Sequence, residues 1–285
     1  RILETLQALR DQQGNIAYEV IITDRNNDAI SQTIDDSYPE VTRIAAPITT
    51  SLPIMRTLGL EHASGKFIIV TEDHCVPSLN WLQSFQQAFS ASPENVAAVG
   101  GCVENAVFDT AFDWATFLCE YSYFLAPVAE GLNTVLPGMN VAYKKEVLDS
   151  IEPQVLTSGF WETTLHPVLL AKGYQLYSTA DIVIYHAKAF SLKLFLQQRF
   201  IYSQYYAGLR YRKEEKAKRA MACCATIILP ALLTYRAITQ TFSKGRYVKQ
   251  FFLALPYLLL FYIVWSLGEI YGYAVGAGNA LNKIE

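Results

Sequence analysis

Up to Leu209, apolar and polar positions alternate in short blocks. Residues 2–9 place Ile2, Leu3, Leu6 and Leu9 at helical spacing, and Gln13-Gly14-Asn15 closes that segment. Residues 18–23 and 41–45 are β-type runs that predict strands, the first closed by the polar stretch from Asp24 to Asp28. Residues 52–63 predict a helix, 67–71 a third strand, and 79–89 a helix with Trp81, Leu82, Phe85 and Phe89 on one face. Strands follow at 96–103, 135–143 and 182–185, a helix at 165–172 is stopped by Gly173, and a long helix covers 191–209. Strands alternating with helices indicate βαβ units and a mixed, mostly parallel sheet flanked by helices. Because a helix comes first, such a fold lacks its opening strand here, and the chain reads as a fragment or a trimmed sequence.

The pattern changes after Arg210. Arg210, Arg212, Lys213, Lys216, Lys218 and Arg219 form a basic cluster ahead of residues 220–235, which carry no charge. Lys244, Arg246 and Lys249 then lead into residues 251–267, again uncharged and rich in Leu, Phe and Tyr. With their flanks, about 220–241 and 250–274, these runs reach the ~17–25 residues of a membrane span. Pro230 interrupts the first run, so it is either a partner span or an interfacial helix; both runs are alternatively core helices of a soluble domain. The division is therefore residues 1–210, an α/β domain, and 211–285, a basic linker with one or two membrane-associated helices. Basic residues beside the first domain favour that side being the cytoplasmic one at the cell membrane, but the linker is basic too, so the positive-inside rule does not settle the topology.

Composition agrees with this picture. Of 285 residues 52% are apolar, and a formal charge of −3 gives no sign of nucleic-acid binding. Five cysteines without a Cys-x-x-Cys pair fit a reducing compartment better than a disulfide framework.

Chemistry-bearing residues gather at strand ends. The run 67–71 delivers Glu72, Asp73 and His74, and Glu72 and His74 share a face of an extended segment. Carboxylate with imidazole suits a divalent cation, Mg²⁺ or Mn²⁺; alone, the tripeptide is equally a solvated turn. Asp24 ends another strand and can accept hydrogen bonds from a base or sugar, whereas Asp28 and Asp35-Asp36 read as turn and surface residues. His186 ends a third strand. Thr163 or Thr164 is a fair N-cap, which leaves Glu162 in the loop at a helix entrance, either as a general base or as a complement to the helix dipole. His166, followed by Pro167, reads as structural. Arg199, among Gln197, Gln198, Tyr202, Tyr205 and Tyr206, faces a diphosphate, an acceptor or lipid headgroups, or else packs beneath the domain.

Together these segments resemble the family 2 inverting glycosyltransferases of membrane-associated bacterial type, with the GT-A nucleotide-diphospho-sugar transferase fold and C-terminal membrane helices. Tyr18-Glu19-Val20-Ile21-Ile22-Thr23-Asp24 looks like the family's first nucleotide-binding strand. Residues 63–74, then Pro77 and Trp81-Leu82, match the segment carrying the metal-binding Asp-x-Asp, read here as Glu72-Asp73-His74. Gly138-x-Asn140 resembles the donor- or acceptor-site loop, Gly159-Phe160-Trp161-Glu162 the Glu-Asp segment with Glu162 at the base, and Gln198-Arg199-Phe200 the Arg-Trp signature. The resemblance implies Glu162 as catalytic base, Asp24, Asp73, Gly138, Asn140 and Arg199 as donor-binding residues, and Glu72, His74 and His186 as metal ligands. It implies a nucleotide-sugar donor, UDP-linked for preference, and a lipid-linked or polysaccharide acceptor. Asp24-Arg25, Trp161 and Phe200 depart from the family pattern, so the alternative expectation is a catalytically degenerate, membrane-anchored nucleotide-sugar-binding protein.

Overall fold

A computed structural model describes residues 1–107, 110–210 and 216–284, arranged as two compact units. The Arg212 and Lys213 part of the basic cluster lies outside the described residues. The first unit comprises residues 1–106 and 124–188; the second comprises 107–123 and 189–285.

The first unit opens with α1 (Ile2–Arg10), β1 (Val20–Asp24), α2 (Ala29–Ser37), β2 (Val41–Ala45), α3 (Leu52–His62) and β3 (Phe67–Val70). It continues through β4 (Cys75–Pro77), α4 (Trp81–Ala91) and β5 (Val96–Asn105); α5 (Ala111–Tyr121) then belongs to the second unit. The chain returns with β6 (Gly131–Asn133), β7 (Val141–Lys144), α6 (Lys145–Asp149), α7 (Pro153–Gly159), α8 (Glu162–Ala171) and β8 (Gln175–His186). Residues 96–103 of β5 are all buried, as a central strand covered on both faces must be. The core under α3, α7 and α8 joins Leu60, Val70, Val141, Leu156, Leu165 and Leu169.

The strands form a sheet in the order β3-β7-β5-β8-β4, with β6 on β8, and a separate β1-β2 pair. The sheet is mixed, as expected, but the mostly parallel arrangement is corrected. Among the described residues only β1–β2 and β5–β8 are parallel, while β3–β7, β5–β7, β4–β8 and β6–β8 are antiparallel. The long connection between β5 and β7 lets the chain re-enter from the opposite end, which a helix-strand alternation does not reveal. The strand expected at 135–143 begins only at Val141, because Pro137 has no N–H for a ladder. Asp28 caps α2 instead of marking a plain turn: it accepts from Ile30 N (2.9 Å) and Ser31 N (3.3 Å), and its own N–H bonds Ser31 Oγ (3.0 Å).

The second unit holds α5, α9 (Leu192–Arg210), α10 (Lys216–Ala225), a 3₁₀ turn at Thr226–Ile228, α11 (Leu229–Lys244) and α12 (Val248–Val275). Pro230 sits in the first turn of α11, where its missing N–H costs no bond. The stretches Lys216–Lys244 and Val248–Val275 are long and apolar enough to cross a membrane. Residues of α9 run beside the C-terminal half of α12, with Phe195 on Phe261 and Phe200 on Tyr271 at centroid separations of 4.5 and 5.7 Å. Gly268 permits this approach, because a Cβ there would collide with Ser203 Oγ and the Phe200 carbonyl.

Candidate active site

The β4–β8 pairing sets the site. Cys75 is in register with His186, and Ala187 N–H bonds the His74 carbonyl (2.9 Å), so the residue before β4 and the last residue of β8 become neighbours. His74 Nε2 lies 3.2 Å from His186 Nε2 and 3.2 Å from Glu72 Oε2. Residues 72–75 form a turn closed by the Cys75 N–H on the Glu72 carbonyl (3.0 Å), and this turn, not the extended segment expected, brings the Glu72 and His74 side chains together. Asp73, with its side chain 72% exposed, takes the other ring nitrogen of His74 (Nδ1–Oδ1 2.7 Å). Burial opposes the charge on His74, but the hydrogen bonds that its ring donates to Asp73 and Glu72 outweigh it and push the imidazole up to about 9. His186 is pushed down to about 3, first by burial and then by the charge of His74. Burial also opposes ionisation of Glu72, yet the His74 hydrogen bond and the charges of His74 and Arg56 hold it well below the carboxylate range.

One ligand atom from each of Glu72, His74 and His186 lies within 4.8 Å of the others. Donors about 2.1–2.2 Å from a common octahedral ion are roughly 3 Å apart along an edge, so the two 3.2 Å separations fit a divalent cation. A buried imidazole pair with its nitrogens facing each other is also a chemically suitable donor set: Asp73 holds the Nδ1 proton of His74, and a cation would take the place of the proton on Nε2.

Glu162 reaches the site from the other side of the core. It is the first residue of α8, with Trp161 at the cap position and no side-chain cap, so the expected Thr163 or Thr164 cap is corrected. Thr164 Oγ1 is occupied instead by Trp161 Nε1 (3.1 Å). The Glu162 carboxylate rests on the backbone of Gly138, where any Cβ would collide with Oε2. Beneath it, Tyr143 is held protonated by burial and then by the charge of Glu162. Arg56 of α3, which the sequence pattern did not single out, ties the two halves together. Its guanidinium donates to Glu72 Oε1 (3.1 Å) and to the Phe160 carbonyl (3.0 Å), two residues before Glu162. Only its place one turn before Leu60 on the helix leading to β3 could have flagged it.

The other expected donor-site residues separate. Asp24 ends β1, where its carboxylate accepts from Ser31 Oγ, Asn26 N (2.9 Å) and Arg43 Nη1 (3.4 Å). Burial opposes its ionisation, but these donors win and its affinity for a proton is lowered. Asn140 is 0% exposed: its amide donates to the carbonyls of Cys102 (2.7 Å) and Ile182 (3.1 Å) and accepts from Trp81 Nε1 (2.7 Å). It pins β5, β8 and α4 together. Arg199 lies in the second unit, where it pairs with Glu120 of α5 among the rings of Phe195, Tyr202 and Trp265.

The first unit is thus a mixed sheet with a carboxylate–imidazole cluster at strand ends and a further carboxylate at a helix start, an arrangement in keeping with the GT-A class of fold. The family model described as "Glycosyl transferase family 2" matches residues 1–151, more than half of the chain, and the chain belongs to that family. The matched segment holds Asp24, Glu72, Asp73, His74, Gly138 and Asn140; Glu162 and His186 lie beyond it. Among solved structures, the chain is similar to the mannosyltransferase PcManGT from Pyrobaculum calidifontis, solved in complex with GDP-Man and Mn²⁺. The two are 15% identical with a TM-score of 0.59, over 95% of this chain and 83% of that one, a likeness of fold. Residues 1–349 of TarS from S. aureus give 12% identity and a TM-score of 0.46 over 65% and 56% of the two chains. A comparison with curated protein sequences finds no match.

Proposed function

We propose that this glycosyltransferase moves a sugar from a nucleotide-diphosphate donor to a membrane-held or polysaccharide acceptor with inversion, using Glu162 as general base. The observation that carries this reading is the pair of charged centres joined by Arg56: the Glu72, His74 and His186 cluster on one side, and Glu162 resting on Gly138 on the other. A divalent cation held by Glu72, His74 and His186 would neutralise charge on the departing nucleoside diphosphate. Glu162 takes the proton of the acceptor hydroxyl as its oxygen attacks the anomeric carbon on the face opposite the leaving group. Asp73 orients His74, and Asp24 braces the β1–α2 loop at the expected nucleotide edge. Two imidazoles favour Mn²⁺ over Mg²⁺. UDP is the expected nucleotide, but the similar mannosyltransferase was solved with GDP-Man, so both bases belong in a screen. The ligand-capable His74 supports turnover over the degenerate binding alternative.

The apolar surfaces of α11 and α12 support attachment to the cell membrane, with residues 1–210 as the catalytic domain on the cytoplasmic side and 211–285 as linker and membrane helices. Leu253, Ile263 and Leu267 are each about half exposed, at 56, 48 and 52%. The deciding experiment incubates membranes containing the protein with UDP- and GDP-sugars and weighs the glycosylated product. Glu162→Gln is expected to lower turnover about 10²- to 10⁴-fold while leaving Mn²⁺ and donor binding in place. Full turnover by that variant would overturn the base assignment.

A further inference from the structure

His166 is 1% exposed on α8, one turn after Glu162, and both of its ring nitrogens are committed. The Leu136 N–H donates to Nδ1 (3.3 Å), and since a backbone N–H can only donate, Nδ1 carries no proton. The neutral ring therefore has its proton on Nε2, which it gives to the Tyr143 hydroxyl (2.9 Å). Burial alone pushes this imidazole down to about 3, in keeping with a permanently neutral ring.

These two bonds bracket the segment that carries Gly138. Leu136 stands two residues before that glycine, Tyr143 five residues after it on β7, and one imidazole on α8 grips both. Glu162 and His166 are four apart on a helix, so they share a face. The contact between the Glu162 carboxylate and Gly138 thus lies inside a closed loop of chain whose far side is the His166 clamp. Asn140 fixes the same segment from beneath, through its side chain and its N–H to the Pro137 carbonyl (3.1 Å). The segment cannot move relative to α8 without breaking a His166 bond, and any such movement changes the surface of Gly138 on which the Glu162 carboxylate lies.

We infer that His166 is a positioning residue that sets the Glu162 carboxylate against Gly138 and so in line with the acceptor hydroxyl; this rests on the reading of Glu162 as base. Misplacing a reacting group by about 1 Å can cost roughly 10²-fold in rate. The test measures kcat and donor KM for wild type, His166→Leu, His166→Asn, Glu162→Gln and the His166→Leu/Glu162→Gln double variant in membranes. The donor is whichever of UDP-glucose, UDP-N-acetylglucosamine and GDP-mannose the wild type turns over.

His166→Leu is expected to lower kcat about 10²-fold with donor KM nearly unchanged. His166→Asn, whose Oδ1 can take the Leu136 N–H, recovers part of the loss, and the double variant is no slower than Glu162→Gln. A loss in KM alone, or losses that multiply in the double variant, overturns the inference. Where His166→Leu does not fold, Tyr143→Phe removes one hydroxyl and carries the same comparison, with wild-type kcat as the refuting result. Full turnover by Glu162→Gln would instead sink the base reading itself. Independently of turnover, a crystal structure of His166→Asn or Tyr143→Phe should show Glu162 displaced from Gly138; a carboxylate unmoved in both refutes the clamp.

Discussion

Replacing the α-hydrogen of Gly138 by a methyl group would drive a carbon into Glu162 Oε2, and the carboxylate would have to swing off the loop. Gly138→Ala should therefore lower kcat by about 10²-fold while Mn²⁺ affinity, read by calorimetry, stays constant, because the metal cluster is built from other elements. Asp73 supports the opposite expectation. Its carboxylate anchors His74 through Nδ1 without reaching the metal position, so Asp73→Ala should weaken Mn²⁺ binding about 10- to 100-fold with all three ligands present. Undiminished affinity would show that His74 needs no anchor. Glu72, His74 and His186 were legible because each stands at the end of an apolar run, where a strand must stop. Arg56 was not, since its two partners are 16 and 104 residues away in sequence. The buried partners of Asn140 and Arg199 were not legible either, because Cys102, Ile182 and Glu120 are 38, 42 and 79 residues away in sequence.

At the scale of elements, the strands and helices with unbroken periodicity, such as β2 and α1, were legible almost to the residue. The misses have local causes. Residues 29–37 of α2 carry only Ile30 and Ile34 as large apolar positions, too few to show a face, and the helix declares itself through its cap. Asp28→Ala should thus cost about 1 kcal/mol in denaturant unfolding, a loss that a plain turn residue would not show. The element α8 offers a pH test. His166 binds a proton near 6.5 when unfolded but only at about 3 when folded. Between those values the unfolded chain holds more protons, so stability is full above pH 6.5 and falls as pH drops towards 3. At pH 5 the loss amounts to about 2 kcal/mol at 1.36 kcal/mol per unit. Unfolding at pH 7 and pH 5 should show that difference shrinking in His166→Gln.

The whole chain crosses between its two units after residues 106, 123 and 188, which explains why α5 escaped a reading that took the first 210 residues as one α/β pattern. The apolar C-terminal helices were legible because their composition differs from everything before them. Between Gln250 and Gly268 no residue is charged, a stretch of about 28 Å at 1.5 Å per residue, close to the hydrocarbon thickness of a bilayer. Glu269, next in sequence, is buried and accepts from Trp265 Nε1 (2.8 Å) and Tyr273 Oη (2.9 Å), so the first charge after the stretch is satisfied inside the protein. Length and composition do not distinguish such a helix from one in a soluble core, but an exposed position does. Leu259, 41% exposed, stands at the middle of the uncharged stretch. Facing water, Leu259→Arg should change stability by no more than about 0.5 kcal/mol. Facing lipid, an arginine at that depth costs about 2.5–3.5 kcal/mol on insertion. Membranes washed with alkaline carbonate should keep the wild type in the pellet until detergent is added, and should keep a smaller fraction of Leu259→Arg. Wild-type protein released by carbonate alone would refute the membrane attachment.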